Sequence, residues 1–346
     1  MSEQPKSQTP VVHTQEDYGL RPEASEFPMM LVLSFVFPCN ALCPHCPYTN
    51  SNIRKEYRDM PYMPESTFKK IADEAGQYGA YLRISGGGEP MLHPQAVPLL
   101  TYAKQVGCKI GLITNGSKFD DANSRALLEA GIDMIEFSVD ACEPETYHKV
   151  RAGLEWGTLV ANIERMVRLR EELKSSSKIV ASAVNQKDVD IDAVEKFWVE
   201  GKGIDYLIKR KFLTWGVNTE LDDARSADAN AYLEAGSVPC PFLFERLNID
   251  TRGNTMVCGY DISANTSMGN VNEESIRDIW HGEGFQWYRE MHLGGRGTEV
   301  PLCAGCPDWQ YRSWQHNYWK VVKNAEEARA RKLGEHDDFQ SVAENS

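Results

Sequence analysis

From residue 31 to residue 212 the chain alternates short apolar, β-branched runs with longer amphipathic stretches. The runs LVLSFVF (31–37), YLRISG (81–86), KIGLITNG (109–116), MIEFSVD (134–140), KIVASAVN (178–185) and DYLIKRKF (205–212) read as strands. Between them PESTFKKIADEAGQYG, PQAVPLLTYAKQVG, DANSRALLEAG, TLVANIERMVRLREEL and AVEKFWVEG read as helices; Pro64 and Glu65 open the first, and Gly131 stops the third. About six strands alternating with about five helices predict an α/β fold with a parallel sheet and right-handed crossovers. In such sheets function gathers at the C-terminal ends of the strands. There the sequence places a three-cysteine loop, GGGEP, TNG and SVD.

The three-cysteine loop, FPCNALCPHCPY, carries Cys39, Cys43 and Cys46 in the spacing C-x3-C-x2-C. Three thiols cannot pair off as disulfides, and a closed structural zinc site takes four ligands. Four more of the nine cysteines fall late, at Cys240, Cys258, Cys303 and Cys306, while Cys108 and Cys142 stand alone. No apolar run is long enough to span a bilayer, and the polar N-terminus lacks the layout of a signal peptide. The expected setting is therefore cytoplasmic, with reduced thiols, where clustered cysteines signify metal or catalysis. A net charge of −13 argues against a nucleic-acid or anionic-membrane partner.

Three closely spaced thiolates suit a [4Fe–4S] cluster with one iron left for another ligand. The spacing, at the end of a first strand, resembles that of the radical S-adenosylmethionine superfamily. The resemblance covers roughly residues 30–212 and extends to further positions, each in the order the family uses. His45 stands at the usually aromatic position near the adenine. Gly87, Gly88, Glu89 and Pro90 resemble the GGEP motif, in which backbone groups or Glu89 hold the methionyl ammonium. Ser138 and Asp140 resemble the strand-four polar residues that contact the methionyl or ribose moieties. Arg151 matches an arginine that pairs with the methionyl carboxylate, for which a guanidinium fork is suited. Asn115 is a further candidate for lining the site. The usual SxDG appears here as Ser138-Val139-Asp140-Ala141, followed by Cys142. The resemblance implies a partial (β/α)6 barrel, S-adenosylmethionine as cofactor, and hydrogen abstraction by a 5′-deoxyadenosyl radical.

The late cysteines fill one cluster or one zinc. LNIDTRGNTMVCGYD reads as a β-hairpin leading into Cys258, and MGNVNEESIRDIWHGEGFQWYREM as a turn followed by a helix. This region resembles the SPASM/Twitch auxiliary-cluster domains, and four cysteines match the single-cluster Twitch form. Their spacing resembles that of the aminocyclitol dehydrogenase of butirosin biosynthesis, a member of the same superfamily. The expected organisation is a flexible arm (1–27), the barrel (28–225), a small C-terminal α+β iron–sulfur domain (235–325) and a flexible tail (331–346).

The leading expectation for activity is oxidation of a secondary alcohol of a sugar, aminocyclitol or related polyol, with the auxiliary cluster as electron acceptor. A flavodoxin- or ferredoxin-type reductant goes with it. Lys209, Arg210 and Lys211 at the end of the sixth strand are candidates for the base or for holding an anionic group; alternation puts Arg210 on the face opposite the two lysines. Epimerisation would need a hydrogen donor, for which Cys142 is the candidate. Decarboxylation or rearrangement of a sugar acid is a third reading. Modification of a ribosomal peptide is a fourth, weakened by the short polar segment before the first strand. Trp309, Tyr311, Trp314, Tyr318 and Trp319 could cover the cavity or pack a terminal helix.

Overall fold

The computed structural model describes residues 22–49, 55–212, 239–261, 265–304, 306 and 318–334. Its sheet contains eight strands: β1 (Met30–Leu33), β2 (Tyr81–Ile84), β3 (Lys109–Thr114), β4 (Met134–Ser138), β5 (Lys178–Asn185), β6 (Tyr206–Lys211), β7 (Arg246–Ile249) and β8 (Thr255–Met256). Their order is β6-β5-β4-β3-β2-β1-β7-β8, and every pairing is parallel except the last. The six expected strands thus form the sheet of a partial barrel. Helices α1 (Glu65–Gln77), α2 (Ala96–Gln105), α3 (Asp121–Glu129), α4 (Pro144–Val150), α5 (Trp156–Leu173) and α6 (Ile191–Glu195) occupy the crossovers.

Period-2 alternation divides each strand between two environments. One face carries Leu31, Leu33, Leu82, Ile84, Leu112, Ile135, Phe137, Ile179 and Leu207, all buried against the apolar sides of the helices. The opposite face carries Val32, Arg83, Glu136, Ser138, Ser182 and Arg210 and looks into a cavity of about 900 Å3. Polar side chains inside a strand are costly to bury without partners, so this concave face is where chemistry can be sited.

The auxiliary region continues the barrel sheet: β7 pairs with β1 in the register Met30↔Arg246 to Leu33↔Ile249. An exposed β1 edge would leave unpaired backbone groups, and β7 satisfies them. Residues 22–27, expected as flexible, are docked. Ala24 and Phe27 are buried, Phe27 stacks on Tyr78, and Trp280 donates its indole N–H to the Ala24 carbonyl at 2.9 Å. Of the aromatic stretch near the C-terminus, Trp309, Tyr311 and Trp314 lie outside the described residues.

The C-terminal part adds α7 (Phe242–Glu245), α8 (Ile276–His281), α9 (Glu283–Leu293) and α10 (Tyr318–Leu333). The stretch expected to hold one helix holds two, divided at Gly282. Helix α10 crosses the end of the barrel away from the cysteine loop, with Trp319 against Tyr81 and Ala325 among Met30, Met134, Val180 and Ile208. It extends to Leu333, into what the sequence suggested was tail. Helix α6 runs into a π-helical turn (Lys196–Gly201). That turn buries Trp198, whose indole N–H donates to the Ala141 carbonyl at 2.7 Å and props the loop after β4.

Candidate active site

The cysteine loop leaves β1 and is held by three neighbouring loops. Glu89 N donates to the Pro38 carbonyl at 2.9 Å, and Leu42 N to the Ala152 carbonyl at 2.7 Å. Asn40 accepts from the Asn115 amide at 3.0 Å and donates to Ser117 Oγ at 2.9 Å. A side chain on Gly88 would place Cβ 2.0 Å from the Pro38 carbonyl oxygen, and Gly87 has φ +72° with Cβ space only 2.2 Å from the Val36 carbonyl oxygen. Glycine is required at both, because the GGGEP backbone lies directly on the cysteine loop. Burial lifts the pKa of Cys39 to about 11, and Glu89, Cys43 and Cys46 add to the rise. Such thiols give up their protons to a metal.

Glu89 is buried. Its carboxylate accepts from Thr114 Oγ1 at 2.6 Å, Met91 N at 3.1 Å and Asn115 N at 2.7 Å. Burial pushes its pKa up against those bonds. Three of roughly four lone-pair positions are used, so the residue fastens the loop after β2 to the loop after β3 and keeps one acceptor position for a cation. Asp140 adopts φ +54°. It accepts from Val184 N at 2.7 Å and pairs with Arg151 Nη2 at 2.6 Å. Arg151 also donates from Nη1 to Cys43 Sγ at 3.7 Å. Burial works against the Arg151 charge, but Asp140 and Cys43 outweigh it and hold its pKa above the ordinary value. Ser138 lies on the cavity face beside Ser182.

His45 lies 3.7 Å from Asp140. Burial, more than Asp140 can offset, lowers its pKa to about 4, so the ring is neutral at pH 7. Its Nδ1 and the Nε of Arg151 are buried without hydrogen-bond partners. Two orphaned polar atoms on the wall of one cavity are what a bound polar ligand would satisfy.

The late cysteines also converge. Cys303 and Cys306 share a turn, with Cys306 N donating to the Cys303 carbonyl at 3.0 Å. Tyr288, on α9, is raised in pKa by burial first, with Cys303, Asp261 and Cys258 adding to it. Cys240 N donates to His292 Nδ1 on the same helix at 3.1 Å. The hairpin that carries Cys258 contributes Met256, Gly259, Tyr260 and Asp261 to the wall of the cavity that the first cysteine loop also lines. Among the described residues, no three His, Cys, Asp or Glu side chains close on one point.

A family model described as the radical SAM superfamily matches residues 33–183. This chain belongs to the radical SAM superfamily. A second model, an iron–sulfur cluster-binding SPASM domain, matches residues 240–307 of this radical SAM protein. Its cofactors are [4Fe–4S] clusters and S-adenosylmethionine. The chain is 24% identical over 317 residues to the tungsten-containing aldehyde ferredoxin oxidoreductase cofactor-modifying protein of Pyrococcus furiosus, covering 80% of this chain and 86% of that one. It is 22% identical over 320 residues to the PqqA peptide cyclase of Xanthomonas oryzae pv. oryzae, covering 82% of each. Among solved structures it resembles BtrN in complex with AdoMet and 2-DOIA, with TM-score 0.53, 17% identity and coverage of 80% of this chain and 92% of that one. It also resembles Streptococcus suis SuiB bound to precursor peptide SuiA, with TM-score 0.63, 16% identity and coverage of 86% and 73%. These structural likenesses concern the fold.

The four sequence candidates for catalysis fare differently. Arg210 turns into the cavity, where its Nη2 pairs with Glu136 at 2.5 Å. Lys209 borders the same cavity but is bridged to Asp192 at 3.0 Å and Glu195 at 2.8 Å. Those partners raise its pKa, which makes it a poor base. Lys211 pairs in register with Asn185 at the end of β6. Cys142, considered as a hydrogen donor, packs against the apolar core and is not among the residues lining the cavity. The sequence reading passed over Asn40, Trp198, Arg83 and Glu136. For the last two a signal was present: each is a charge inside an otherwise apolar strand run, YLRI and MIEFS.

No described helix is long and apolar enough to cross a membrane.

Proposed function

We propose that this radical SAM protein oxidises a secondary alcohol of a small polar molecule such as a sugar, aminocyclitol or related polyol. Cys39, Cys43 and Cys46 would hold the first cluster, and Cys240, Cys258, Cys303 and Cys306 an auxiliary one. The observation that carries the reading is that the Cys258 hairpin and the first cysteine loop wall the same cavity. Turning an alcohol into a ketone removes a hydrogen atom, a proton and one further electron, so a second acceptor must lie beside the substrate. When bound, the first cluster and S-adenosylmethionine supply a 5′-deoxyadenosyl radical for hydrogen abstraction. Arg151, whose Nε–H has no hydrogen-bond partner, would take the methionyl carboxylate, with Asp140 fixing its orientation. Glu89 offers its remaining acceptor position to the ammonium. His45 presents a neutral ring edge. The barrel wall and helix α10 enclose the substrate and exclude water.

The test uses anaerobically reconstituted protein, dithionite or a flavodoxin-type reductant, and polyols deuterated at the carbinol carbon. Deuterium in 5′-deoxyadenosine together with a ketone product is the expected result. Deuterium transfer with inversion and no ketone would replace oxidation by epimerisation.

A second reading is peptide modification. It is supported by the PqqA peptide cyclases, which this chain matches along 82% of its length. Label transfer from a peptide and from none of the polyols would establish it instead.

A further inference from the structure

Strand β4 carries one charge, Glu136, in the run MIEFS. Glu136 stands on the concave face and lines the cavity, at 1% exposure. Below it on that face lies an apolar floor of Met30, Tyr81, Met134 and Ile208, closed by Ala325 of helix α10. Above it comes Ser138, the last residue of β4. Its register neighbours, Ile113 on β3 and Val180 on β5, are apolar. The partners of the carboxylate therefore come from elsewhere on the concave face, and its two oxygens share them unequally. Arg210 donates from Nε at 3.2 Å and from Nη2 at 2.5 Å, both to Oε1. Oε2 is buried and has no hydrogen-bond partner. Burial works to raise the Glu136 pKa, but Arg210 and then Arg83, with a smaller contribution from Ser182, outweigh it and hold the carboxylate ionised. A guanidinium fork can straddle both oxygens of a carboxylate; Arg210 leaves the second one unused. A buried acceptor without a donor is costly.

We propose that Glu136 Oε2 is a substrate-binding atom, which accepts a hydrogen bond from a hydroxyl or amine group that the substrate brings to the deep end of the cavity. This rests on the reading of the cavity as the substrate site of a radical SAM enzyme that acts on a polyol or aminocyclitol. Arg210, by occupying Oε1, holds the carboxylate in place, so the second oxygen is in position before substrate arrives. The contact discriminates between substrates. A hydroxyl or amine satisfies the oxygen. A methylene group at the same place leaves it buried without a partner, and a site built around a polar contact rejects such an analogue steeply. Two residues of strand rise about 7 Å, so a molecule anchored at Glu136 lies along β4 to Ser138 and points toward the strand ends, where the cysteine loop and Glu89 line the same cavity.

The test is calorimetric titration of the reconstituted holoprotein, with S-adenosylmethionine bound, using myo-inositol, D-glucose and D-glucosamine as probes. Saturable binding of at least one probe is expected. Glu136→Gln should weaken it by roughly tenfold or more, the loss expected for one hydrogen bond to a charged group. Glu136→Asp keeps a negative charge for Arg210 but withdraws the carboxylate by one methylene; it should melt close to the wild type and still bind weakly. Glu299→Gln, which removes a surface carboxylate paired with Arg296 at 2.7 Å, should leave binding unchanged. If D-glucosamine binds more tightly than D-glucose and the difference vanishes in Glu136→Gln, the donor is an amine; if both weaken alike, it is a hydroxyl. Should Glu136→Gln fail to fold, Glu136→Asp carries the test. Equal binding by wild type and Glu136→Gln, or binding that returns together with stability in Glu136→Asp, overturns the contact and reduces Glu136 to a support for Arg210. No saturable binding of any probe by the wild type overturns it too. Deuterium transfer from labelled polyols to 5′-deoxyadenosine is measured in parallel on the wild type. Transfer with unaltered binding in Glu136→Gln removes the contact and keeps the functional reading; binding that depends on Glu136 without any transfer removes the reading and keeps the contact.

Discussion

The two cysteine groups are built in opposite ways. Cys39, Cys43 and Cys46 lie in one short loop, and that loop is anchored by protein alone: Asn40 to the TNG turn, Pro38 to Glu89, Leu42 to Ala152. Cys240, Cys258, Cys303 and Cys306 come from separate segments, before α7, on the β7–β8 hairpin and in the turn after α9. The first site is a preformed cradle with orphaned polar atoms on the cavity wall. The second is a convergence of distant pieces, where metal binding would add closure to the fold. Chemistry needs the former, because reacting groups must be in position before substrate arrives. An electron acceptor needs only to be near.

Removing each set of ligands separates the two roles most sharply. Changing Cys39, Cys43 and Cys46 together to Ala should abolish reductive cleavage of S-adenosylmethionine and lower the iron content from about eight to about four per chain, at four per cubane cluster. Iron and sulfide analysis with 5′-deoxyadenosine quantification reads both. Changing Cys258 and Cys303 to Ala should stop ketone formation while cleavage of S-adenosylmethionine continues. It should also lower the melting temperature, because β7 extends the sheet from β1. If that variant matches the wild type in stability and product, the auxiliary site is dispensable and the contrast between the two sites fails.

The support behind the first site can be tested next. Trp198→Ala empties a buried site among Trp156 and Phe197 and releases the Ala141 carbonyl, so a loss of about 3–5 kcal/mol is expected in denaturant melts. Arg151→Gln removes the charged donor beside Cys43 and Asp140. It should weaken S-adenosylmethionine binding by about 1.5–3 kcal/mol at unchanged iron content, measured by equilibrium dialysis. The smallest effect belongs to Cys142→Ala. Its side chain packs outside the cavity lining, so stability should change by about 1 kcal/mol or less and turnover should be kept. Loss of turnover with accumulation of an unquenched substrate radical would restore epimerisation.

Much of this molecule was readable in one dimension. Strand and helix alternation is local, so period-2 and helical patterning located β2 to β6 within a few residues, and KIVASAVN spans β5 as observed. The cysteine triad and GGGEP were legible because the loop and its contact glycines are short contiguous stretches whose chemistry depends on spacing. The four late cysteines could be grouped by number, but their approach to the same cavity could not be foreseen. That approach depends on β7 choosing the free edge of β1, a pairing between residues more than two hundred positions apart in sequence with no local signature. The same holds for the docking of Ala24 under Trp280, for the π-turn that brings Trp198 to Ala141, and for the meeting of Arg83, Glu136 and Arg210 across the concave face. Sequence fixes which side of a strand a residue occupies. Only closure of the sheet decides which other strands that side will face, and hence which charges must share one buried space.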